Sequence, residues 1–353
     1  MTDDEMRRPP VALDPAVRGL IAASEHPPYL DEIGPVDGRR ALEEAQGRAP
    51  DDPRVDAQFL VAPVGPSGLV GFWVFRPAAA GPPGKAAAEP PAAVEPPRDT
   101  AAEPPGIGEP PGVLVYLHGG KWMLGDAHTH SRLVTDLVVL SGSAVVVPEY
   151  TRTPEARYPV AIEEVYALLV WLVDAASELG LDLSRTAVAG DCAGATMAAA
   201  ITLLAKRRSG PRIRAQLLFY PLLDPACDSA SQAEFDSGYL LTRRALRWYW
   251  QQYCDDPRQL AEPTAAPGRA SLEDLAGLPP ALIITAEADV TRDEGEAYAA
   301  RLREAGVSAA AVRYLGTVHD FVSLTALRRS PVSREAIRQG AAFLREHLSD
   351  AGR

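Results

Sequence analysis

The sequence predicts an α/β protein with a mostly parallel, doubly wound sheet and helices on both of its faces. From residue 113 onward, short apolar runs alternate with segments of helical periodicity. Near-continuous apolar strands separated by helices are typical of a parallel sheet covered on both faces, because each crossover helix packs against one face. A glycine-flanked corner between a strand and the next helix, at residues 190–194, is the second observation behind this prediction.

Eight short apolar runs bounded by turn-forming residues are predicted to be strands. Two precede the alternating part of the chain and six lie within it. In chain order they are 57–63, 69–76, 113–117, 144–148, 186–189, 215–220, 281–285 and 311–314.

Helical periodicity is found at 161–176, 193–205, 292–305 and 334–348. A further helix is expected to begin at Leu13-Asp14-Pro15, because Asp14 is a suitable N-cap and Pro15 fits the first turn. Residues 225–275 interrupt the alternation and carry the aromatic cluster Trp248-Tyr249-Trp250. That interruption predicts a helical excursion outside the sheet.

Residues 77–112 consist mainly of Ala, Pro, Gly and Glu, and the triplet Glu-Pro-Pro recurs four times within them. Such a segment buries too little apolar surface to offset its ordering entropy. Strand-like sequence resumes at residue 113, so we predict a flexible insertion between two strands and not a domain boundary.

The bulk composition excludes several classes of protein. The chain has 353 residues, 46% of them apolar, and a formal charge of 35 − 47 = −12. The sequence has no cluster of basic residues that would bind nucleic acid. No stretch is apolar over the length of a membrane span, and the first residues lack the apolar core of a signal peptide. The three cysteines form no Cys-x-x-Cys pair, and their odd number argues against a disulfide framework. These features predict a reduced, cytoplasmic enzyme.

Neither a metal nor a cofactor is predicted. His128-Thr129-His130 looks like a metal-binding pair, but no third ligand follows at a suitable spacing, and both histidines are expected to be solvated. Cys227 and Cys254 are expected to be ordinary buried or half-buried thiols.

The most informative segment is Gly190-Asp191-Cys192-Ala193-Gly194, which has the Gly-x-Ser-x-Gly pattern with sulfur in place of the hydroxyl oxygen. The glycines permit a sharp turn from strand to helix. A side chain on this corner points outward at a helix N-terminus, where the helix dipole favours a thiolate. Cys192 is therefore predicted to be a nucleophile. Taken alone, the pattern is equally compatible with a small residue that fills a tight turn.

A thiol nucleophile needs a base, an acid that orients the base, and donors for the oxyanion. His319 follows the last predicted strand and Asp289 follows the strand before it, so both should lie at the carboxyl edge of the sheet. The chain order is nucleophile, acid, histidine. Glu287 and Asp293 are the competing acids. His118-Gly119-Gly120 ends the strand 113–117, where backbone amides can face a substrate carbonyl.

These motifs together resemble the hormone-sensitive-lipase-like family of α/β-hydrolases, in a bacterial form with cysteine in place of the nucleophilic serine. The resemblance covers nearly all of the chain outside the insertion. It rests on His118-Gly119-Gly120, Glu149-Tyr150, Pro154-Glu155, Tyr158-Pro159, residues 190–194, Gly238-Tyr239-Leu240-Leu241-Thr242, Leu278-Pro279-Pro280, Asp289, Arg292-Asp293-Glu294-Gly295 and His319-Asp320-Phe321.

The resemblance implies a single α/β-hydrolase domain over residues 1–353, with a helical cap formed by about 1–50 and 225–268. It also implies a site for a small-molecule substrate, built from the following residues. Cys192, Asp289 and His319 would form the triad, and Gly119, Gly120, Lys121 and Ala193 would supply the oxyanion hole. Trp122 would line the substrate site, and the cluster at Trp248–Trp250 would either line it too or pack within the cap.

Two residues depart from the family pattern. Cys192 replaces the serine, and Lys121 replaces the glycine that usually follows His-Gly-Gly. Lys121 keeps its backbone N–H for the oxyanion hole. An inward-facing ammonium would favour an anionic substrate, because a charge in a dry cleft is poorly screened. The alternative is a lysine that points into solvent.

The sulfur favours acyl chemistry through a thioester, that is, hydrolysis or acyl transfer on an ester, thioester or lactone of a small or medium metabolite in specialised metabolism. A substrate carried as a thioester fits this prediction. Two alternatives stay open. One is a lyase that eliminates a carboxylate or water with His319 as base and no covalent intermediate. The other is a non-catalytic binding module. The sequence leaves the oligomeric state open.

Overall fold

The structure is a computed structural model of the chain and describes residues 11–24, 32–47, 52–78 and 110–349. Within these ranges eight strands form one sheet in the order β1-β2-β4-β3-β5-β6-β7-β8. The strands are β1 (Val55–Ala62), β2 (Val70–Pro77), β3 (Gly112–Leu117), β4 (Ala144–Pro148), β5 (Asp182–Asp191), β6 (Ala215–Phe219), β7 (Ala281–Ala288) and β8 (Ala309–Val318).

The sheet is doubly wound, as predicted. Strands β3 to β8 pair in parallel, whereas β1 pairs antiparallel with β2 and β2 antiparallel with β4. The strand order runs one way from β3 to β4 and the other way from β3 to β5. A ligand site is expected at the carboxyl ends of the strands beside such a reversal.

All eight predicted strands are present, but three are longer than their apolar runs. β5 begins at Asp182, β7 continues to Ala288 and β8 to Val318. Most of their extra residues are polar or small, and in β7 and β8 pairing between the two strands extends to Ala288 and Val318, with a register shift between Ala286 and Ala288. Hydrophobicity alone does not reveal such strand ends.

The helices of the described residues pack on both faces of the sheet. α3 and α10 contact each other, as do α4 and α5, while α9 packs on β7 and β8. The helices are α1 (Pro15–Ser24), α2 (Gly34–Gln46), α3 (Ser131–Ser141), α4 (Val160–Ala175), α5 (Ala193–Arg207), α6 (Ala230–Glu234), α7 (Arg243–Tyr253), α8 (Leu272–Leu275), α9 (Arg292–Glu304) and α10 (Pro331–Leu348), with 3-10 turns at Pro257–Ala261, Pro267–Arg269 and Thr325–Leu327.

The predicted helical segments are confirmed, including the excursion between β6 and β7, which holds α6, α7 and α8. The N-cap of α1 is also confirmed, because the Ala16 amide donates to Asp14 Oδ1 at 2.8 Å. The sequence reasoning did not single out α2 or α3. α2 is polar along much of its length, so it shows little hydrophobic periodicity.

Two helices pack on the loops that follow β3 and β8. From α2, Arg39 donates to the carbonyl of Met123 at 2.9 Å, and Gln46 donates to the carbonyls of Thr129 and Ser323. From α7, aromatic side chains pack on the loop after β3. These helices belong to the segments predicted to form a cap.

Part of the predicted insertion, residues 79–109, lies outside the described residues, as do residues 1–10, 25–31 and 48–51 of the predicted cap. Among the described helices, none combines the length and the apolar character that crossing a membrane requires.

Candidate active site

Cys192 lies on a strained corner between β5 and α5. Its backbone angles are φ 55° and ψ −124°, a region that non-glycine residues rarely adopt. A Cβ atom on Gly190 would lie 2.4 Å from the Gly194 carbonyl carbon, and one on Gly194 would lie 2.0 Å from the Leu117 carbonyl oxygen. Both glycines are therefore required sterically, as the pattern predicted.

His319 and Asp289 form a buried hydrogen-bonded pair. The two residues follow β8 and β7, and His319 Nδ1–H donates to Asp289 Oδ2 at 2.8 Å. Asp289 also accepts from the amide and hydroxyl of Thr291, at 2.9 and 3.0 Å. These contacts fix the imidazole with Nε2 directed away from Asp289.

The competing acids are engaged elsewhere. Glu287 accepts from the Gly316 amide at 2.7 Å, and Asp293 accepts from Arg292 and from the Ser231 amide. Asp289 is therefore the acid that contacts His319, as predicted.

The structure brings the Cys192 sulfur and the imidazole together. The sulfur, a ring nitrogen of His319 and a carboxylate oxygen of Asp320 all lie within 4.8 Å of one another. His319 Nε2 is buried and has no hydrogen-bond partner among the described residues. Cys192 and His319 are 0% and 1% exposed, so both groups are buried. The three predicted triad residues are thus adjacent, and their catalytic roles stay a prediction.

Lys121 turns inward, and the solvent-facing alternative is wrong. Its side chain is 11% exposed, and Nζ donates to Asp320 Oδ2 at 2.5 Å. Burial opposes the charged ammonium, but Asp320, together with Cys192 and Tyr249, outweighs burial and raises the pKa of Lys121. The positive charge expected beside the reacting centre therefore comes already paired with an anion from the chain itself.

Both partners of this ion pair have left-handed backbone conformations. φ is 55° at Lys121 and 62° at Asp320. Residues other than glycine are strained in this left-handed region, at a cost of order 1–3 kcal/mol each. Two strained residues that bind each other beside the predicted nucleophile indicate a functional role for the pair.

Asp320 also faces the imidazole. Its Oδ1 lies 3.5 Å from His319 Nε2, so carboxylates flank both ring nitrogens. Burial alone would favour neutral imidazole, but Asp289 and Asp320 outweigh burial and raise the pKa of His319 well above its ordinary value. Both carboxylates therefore favour the imidazolium form of His319 beside the thiol.

The predicted oxyanion hole needs one correction. The Gly119 amide donates to Asp191 Oδ1 at 2.8 Å, so it is engaged and cannot also bind an oxyanion. The amides of Gly120, Lys121 and Ala193 donate to no acceptor within the described part of the chain. These three predicted donors remain, with Lys121 contributing its backbone.

Asp191 anchors the loop after β3 from beneath. Besides the Gly119 amide, it accepts from Tyr116 Oη at 2.6 Å and lies 3.5 Å from His130 Nε2. His130 is 4% exposed, so the expectation that it is solvated is wrong, whereas His128 is exposed. The contact joins positions 61 residues apart, and no spacing rule in the sequence reveals it.

Charge holds the Asp191–His130 contact together. Burial raises the pKa of Asp191, but His130 and the hydrogen bond from Tyr116 together outweigh burial and bring that pKa to about 2. Burial likewise disfavours a charged His130, yet Asp191 raises the pKa of His130 above 6.5. The contribution of this ion pair to stability is complete between about pH 4 and about pH 6.5. Below about pH 4 Asp191 of the unfolded chain begins to bind a proton, and above about pH 6.5 His130 of the unfolded chain begins to release one, so the contribution decreases on both sides.

Asp191→Asn is expected to lower the free energy of unfolding by about 3 kcal/mol near pH 5.5, because it leaves a buried imidazolium without its anion. The loss should shrink as the pH rises above 6.5 and His130 releases its proton. Urea unfolding at several pH values measures both effects. Asp174→Asn, which removes an exposed carboxylate of α4, should change stability by less than about 0.5 kcal/mol. An equal, pH-independent loss in Asp191→Asn would contradict the ion pair.

His118 is a neutral part of the same loop. Burial, followed by the charge on His130, lowers the pKa of His118 to about 3. Its ring stacks on Tyr150 with centroids 4.3 Å apart, and Nδ1–H donates to the Gly119 carbonyl at 2.8 Å. The histidine of the His-Gly-Gly motif therefore shapes the turn.

Trp122 packs against α7. Its ring stacks on Tyr253 with centroids 4.2 Å apart and lies 4.6 Å from the ring of Trp250, and it is 1% exposed. Trp250 is buried as well, while Trp248 is half-buried against Tyr249. The predicted contact of these tryptophans with substrate stays a prediction.

The other two thiols are buried as expected. Burial, ahead of nearby acidic side chains, raises the pKa of both Cys227 and Cys254 to about 12. They are unreactive thiols and serve as internal references for Cys192.

Comparison with known proteins decides the family. A family model described as alpha/beta hydrolase fold matches residues 114–323, well over half of the chain. The carboxylic ester hydrolase LipN of Mycobacterium tuberculosis is 39% identical over 244 residues, which are 67% of this chain and 64% of LipN. The chain belongs to the α/β-hydrolase fold family. The predicted hormone-sensitive-lipase-like membership is thereby confirmed.

Two further proteins are similar to this chain in sequence or in structure. An ethyl acetate hydrolase of Pseudomonas putida is 35% identical over 212 residues, 60% of this chain and 66% of that protein. The crystal structure of a thermostable esterase from Pseudomonas putida ECU1011 superposes with a TM-score of 0.85 and 35% identity, covering 97% of this chain and 99% of that one. The matched segment spans just under two thirds of the length of the two curated relatives.

Proposed function

We propose that this chain is a carboxylic ester hydrolase that works through a thioester acyl-enzyme on Cys192. The observation that carries the proposal is the juxtaposition of the strained Cys192 with a His319 that hydrogen-bonds Asp289 at 2.8 Å. The esterase and hydrolase names of the relatives support the reaction class.

Cys192 and His319 act as a thiolate–imidazolium pair in this mechanism. Carboxylates on both sides of the ring favour protonated His319, and the nucleophile in this proposal is the thiolate of Cys192, which lies beside His319 at the N-terminus of α5. The thiolate attacks the ester carbonyl directly. A serine in the same place would first need a base with a free lone pair.

The remaining steps follow from the positions of the donors. As the carbon–sulfur bond forms, the oxyanion receives hydrogen bonds from the amides of Gly120, Lys121 and Ala193. His319 Nε2–H gives its proton to the departing alkoxide, and a thioester remains on Cys192. The now neutral imidazole takes a proton from water, which attacks the thioester and releases the acid.

Segments about 1–50 and 225–268 act as the cap in this proposal. Support comes from α2 and α7, which contact the loops after β3 and β8. Because the reacting groups are buried, substrate access requires movement of these helices. In this proposal Trp122 and its aromatic neighbours line the acyl site, which would favour small acyl groups.

The experiment that tests the function combines turnover with trapping. The full chain should hydrolyse 4-nitrophenyl acetate, and rapid acid quenching should leave a protein heavier by one acetyl group, on the peptide that carries Cys192. Iodoacetamide should label Cys192 before Cys227 or Cys254 and stop turnover. Turnover with no acyl adduct and no effect of alkylation would refute the cysteine mechanism while leaving the esterase reaction standing.

The same assay can identify which molecule accepts the acyl group from the enzyme. Thioesters react readily with amines and thiols, so acyl transfer would appear as an acylated acceptor when an amine or thiol is added to the ester and enzyme. Thioester and lactone substrates test the finer prediction on leaving groups. A role in specialised metabolism stays a prediction.

The lyase alternative fits these residues less well. It needs a neutral His319 at rest to take a proton from carbon, whereas two carboxylates hold His319 protonated. None of the relatives reported above carries the name of a lyase.

The alkaline limb of the kcat/KM profile should report the loss of the His319 proton. In Asp320→Asn, one of the carboxylates that raise the pKa of His319 is lost, so this limb should move to lower pH. Kinetics of 4-nitrophenyl acetate hydrolysis across pH measure the shift. Asp174→Asn controls for the change in net charge, and an unmoved limb in Asp320→Asn would contradict the role of Asp320.

A further inference from the structure

The groups around the Cys192 sulfur also form a set of metal ligands. We infer that Cys192 Sγ, His319 Nε2 and a carboxylate oxygen of Asp320 bind a borderline-soft divalent cation such as Zn²⁺. Occupation of this site would block ester hydrolysis reversibly. The inhibition rests on the proposed function, whereas binding can be measured without it.

The three donor atoms are already close. They lie within 4.8 Å of one another. Zinc bonds of about 2.3 Å to sulfur, 2.0–2.1 Å to nitrogen and 2.0–2.2 Å to oxygen place tetrahedral ligand atoms ~3.5 Å apart. Small side-chain rotations therefore suffice, and the fixed Cys192 backbone need not move.

His319 is oriented as a metal ligand should be. Its Nδ1–H donates to Asp289, and Nε2 is buried without a hydrogen-bond partner among the described residues. A carboxylate on the far nitrogen fixes the tautomer and the direction of the ligating nitrogen in metal sites. The same contact that prepares His319 for acyl chemistry thus prepares Nε2 for a cation.

Asp320 can serve the cation while it stays in contact with Lys121. Oδ2 accepts from Lys121 Nζ at 2.5 Å, and Oδ1 lies 3.5 Å from His319 Nε2. The Lys121 ammonium repels a cation at this site, so it weakens binding without occupying Oδ1. The Lys121 charge would therefore lower the affinity of the site for a metal.

The donor types select the metal. Thiolate, imidazole and carboxylate suit Zn²⁺ and Co²⁺, whereas Mg²⁺ and Ca²⁺ prefer sets of oxygen ligands. On binding, the Cys192 thiolate donates a lone pair to the metal directly, and the His319 imidazolium releases its Nε2 proton to solvent as the metal–nitrogen bond forms. The sulfur lone pair and the proton donor are then both engaged, so attack on an ester stops.

This site is not the one that the sequence suggested and rejected. His128 is exposed, and His130 faces Asp191 in the network below the loop. The new ligand set depends on a cysteine where a hydroxyl would bind zinc poorly, and on Asp320 at a strained position. Its members come from two loops 127 residues apart.

Cobalt gives a direct optical test. The full chain, with Cys227 and Cys254 both changed to serine, is freed of metal with a chelator and titrated with Co²⁺. We expect one equivalent to produce a thiolate-to-cobalt charge-transfer band in the near ultraviolet. Changing Cys192 to serine as well should abolish the band. A band that persists without Cys192, or no band at millimolar Co²⁺, would overturn the proposal.

Three substitutions, two expected to weaken binding and one expected to strengthen it, make the test sharper. Asp320→Asn should weaken Zn²⁺ binding at least about 10-fold, and Asp289→Asn should weaken it about 10–100-fold through the orientation of His319. Lys121→Gln should strengthen binding, because it removes the repelling charge and keeps the carboxylate. Affinities come from competition with a zinc-chelating dye, and near-ultraviolet circular dichroism checks folding. Unchanged affinity in Asp320→Asn, or weaker binding in Lys121→Gln, would refute the assignment.

Activity then separates the two proposals. Turnover of 4-nitrophenyl acetate with a chelator present tests the esterase function alone. Added Zn²⁺ should inhibit at the dissociation constant found with the dye, and excess chelator should restore turnover. Activity without inhibition at saturating Zn²⁺ would reject the metal site, whereas metal binding to an inactive protein would reject the esterase.

Discussion

Cys192→Ala is expected to reduce kcat for 4-nitrophenyl acetate by about 10⁴-fold or more. The substitution removes the atom that forms the acyl-enzyme, and no other described thiol can replace it, since Cys227 and Cys254 are buried and have pKa values of about 12. Residual turnover from the oxyanion donors should proceed without an acyl adduct. Steady-state kinetics and quenched intact mass measure the two consequences together.

The matched control is Cys227→Ala. It removes a buried thiol of the same chemistry from the segment before α6, where the sulfur faces the Asp224 carbonyl at 3.9 Å and not His319. We expect its kcat to stay within about 2-fold of the parent, with a modest loss of stability. Equal losses in both variants would mean that Cys192 acts through packing. An unaffected kcat in Cys192→Ala would reject nucleophilic catalysis outright.

Local signals account for most of the fold that the sequence predicted. The β5–α5 corner is encoded by Gly190 and Gly194, whose absent side chains are required by contacts within the motif and with β3. The buried strands are encoded by apolar runs. Strand ends such as 286–288 and 316–318 escaped prediction because pairing between β7 and β8, and not hydrophobicity, determines them.

The site was predictable only where its members follow strands. His319 and Asp289 were found because the carboxyl ends of parallel strands meet at one edge. Contacts between residues far apart in the chain left no such signal. Lys121 donates to Asp320, which lies 199 residues away, and the Gly119 amide donates to Asp191, which lies 72 residues away. Reading Lys121 as a free cation and Gly119 as an oxyanion donor followed from seeing each residue without its partner.

The Lys121–Asp320 pair connects the two departures from the family pattern. A thiol benefits from a neighbouring imidazolium because the thiolate itself is the nucleophile. A hydroxyl needs a neutral imidazole that can take its proton. Asp320, 3.5 Å from Nε2, favours the imidazolium. The pair should therefore assist a cysteine and hinder a serine at position 192.

This reasoning predicts that Cys192→Ser will lower kcat/KM by about 10²–10³-fold, because His319 is held protonated and cannot serve as general base. Adding Lys121→Gly and Asp320→Gly should restore at least about 10-fold, since the pKa of His319 then falls. Glycine suits both positions, where φ is 55° and 62°, and removing both charges together leaves neither one buried alone.

The decisive comparison is whether the two glycine substitutions raise or lower kcat/KM when position 192 is serine and when it is cysteine. With Cys192 retained, the same pair of glycine substitutions should lower kcat/KM, because the imidazolium that supports the thiolate is weakened. A double-mutant cycle measured at one pH, with 4-nitrophenyl acetate, gives the coupling between residue 192 and the ion pair. If the glycine substitutions change both backgrounds by the same factor, the pair has no part in choosing sulfur over oxygen. Opposite signs would tie the cysteine to the charges beside it, since packing changes alone affect both nucleophiles in the same direction.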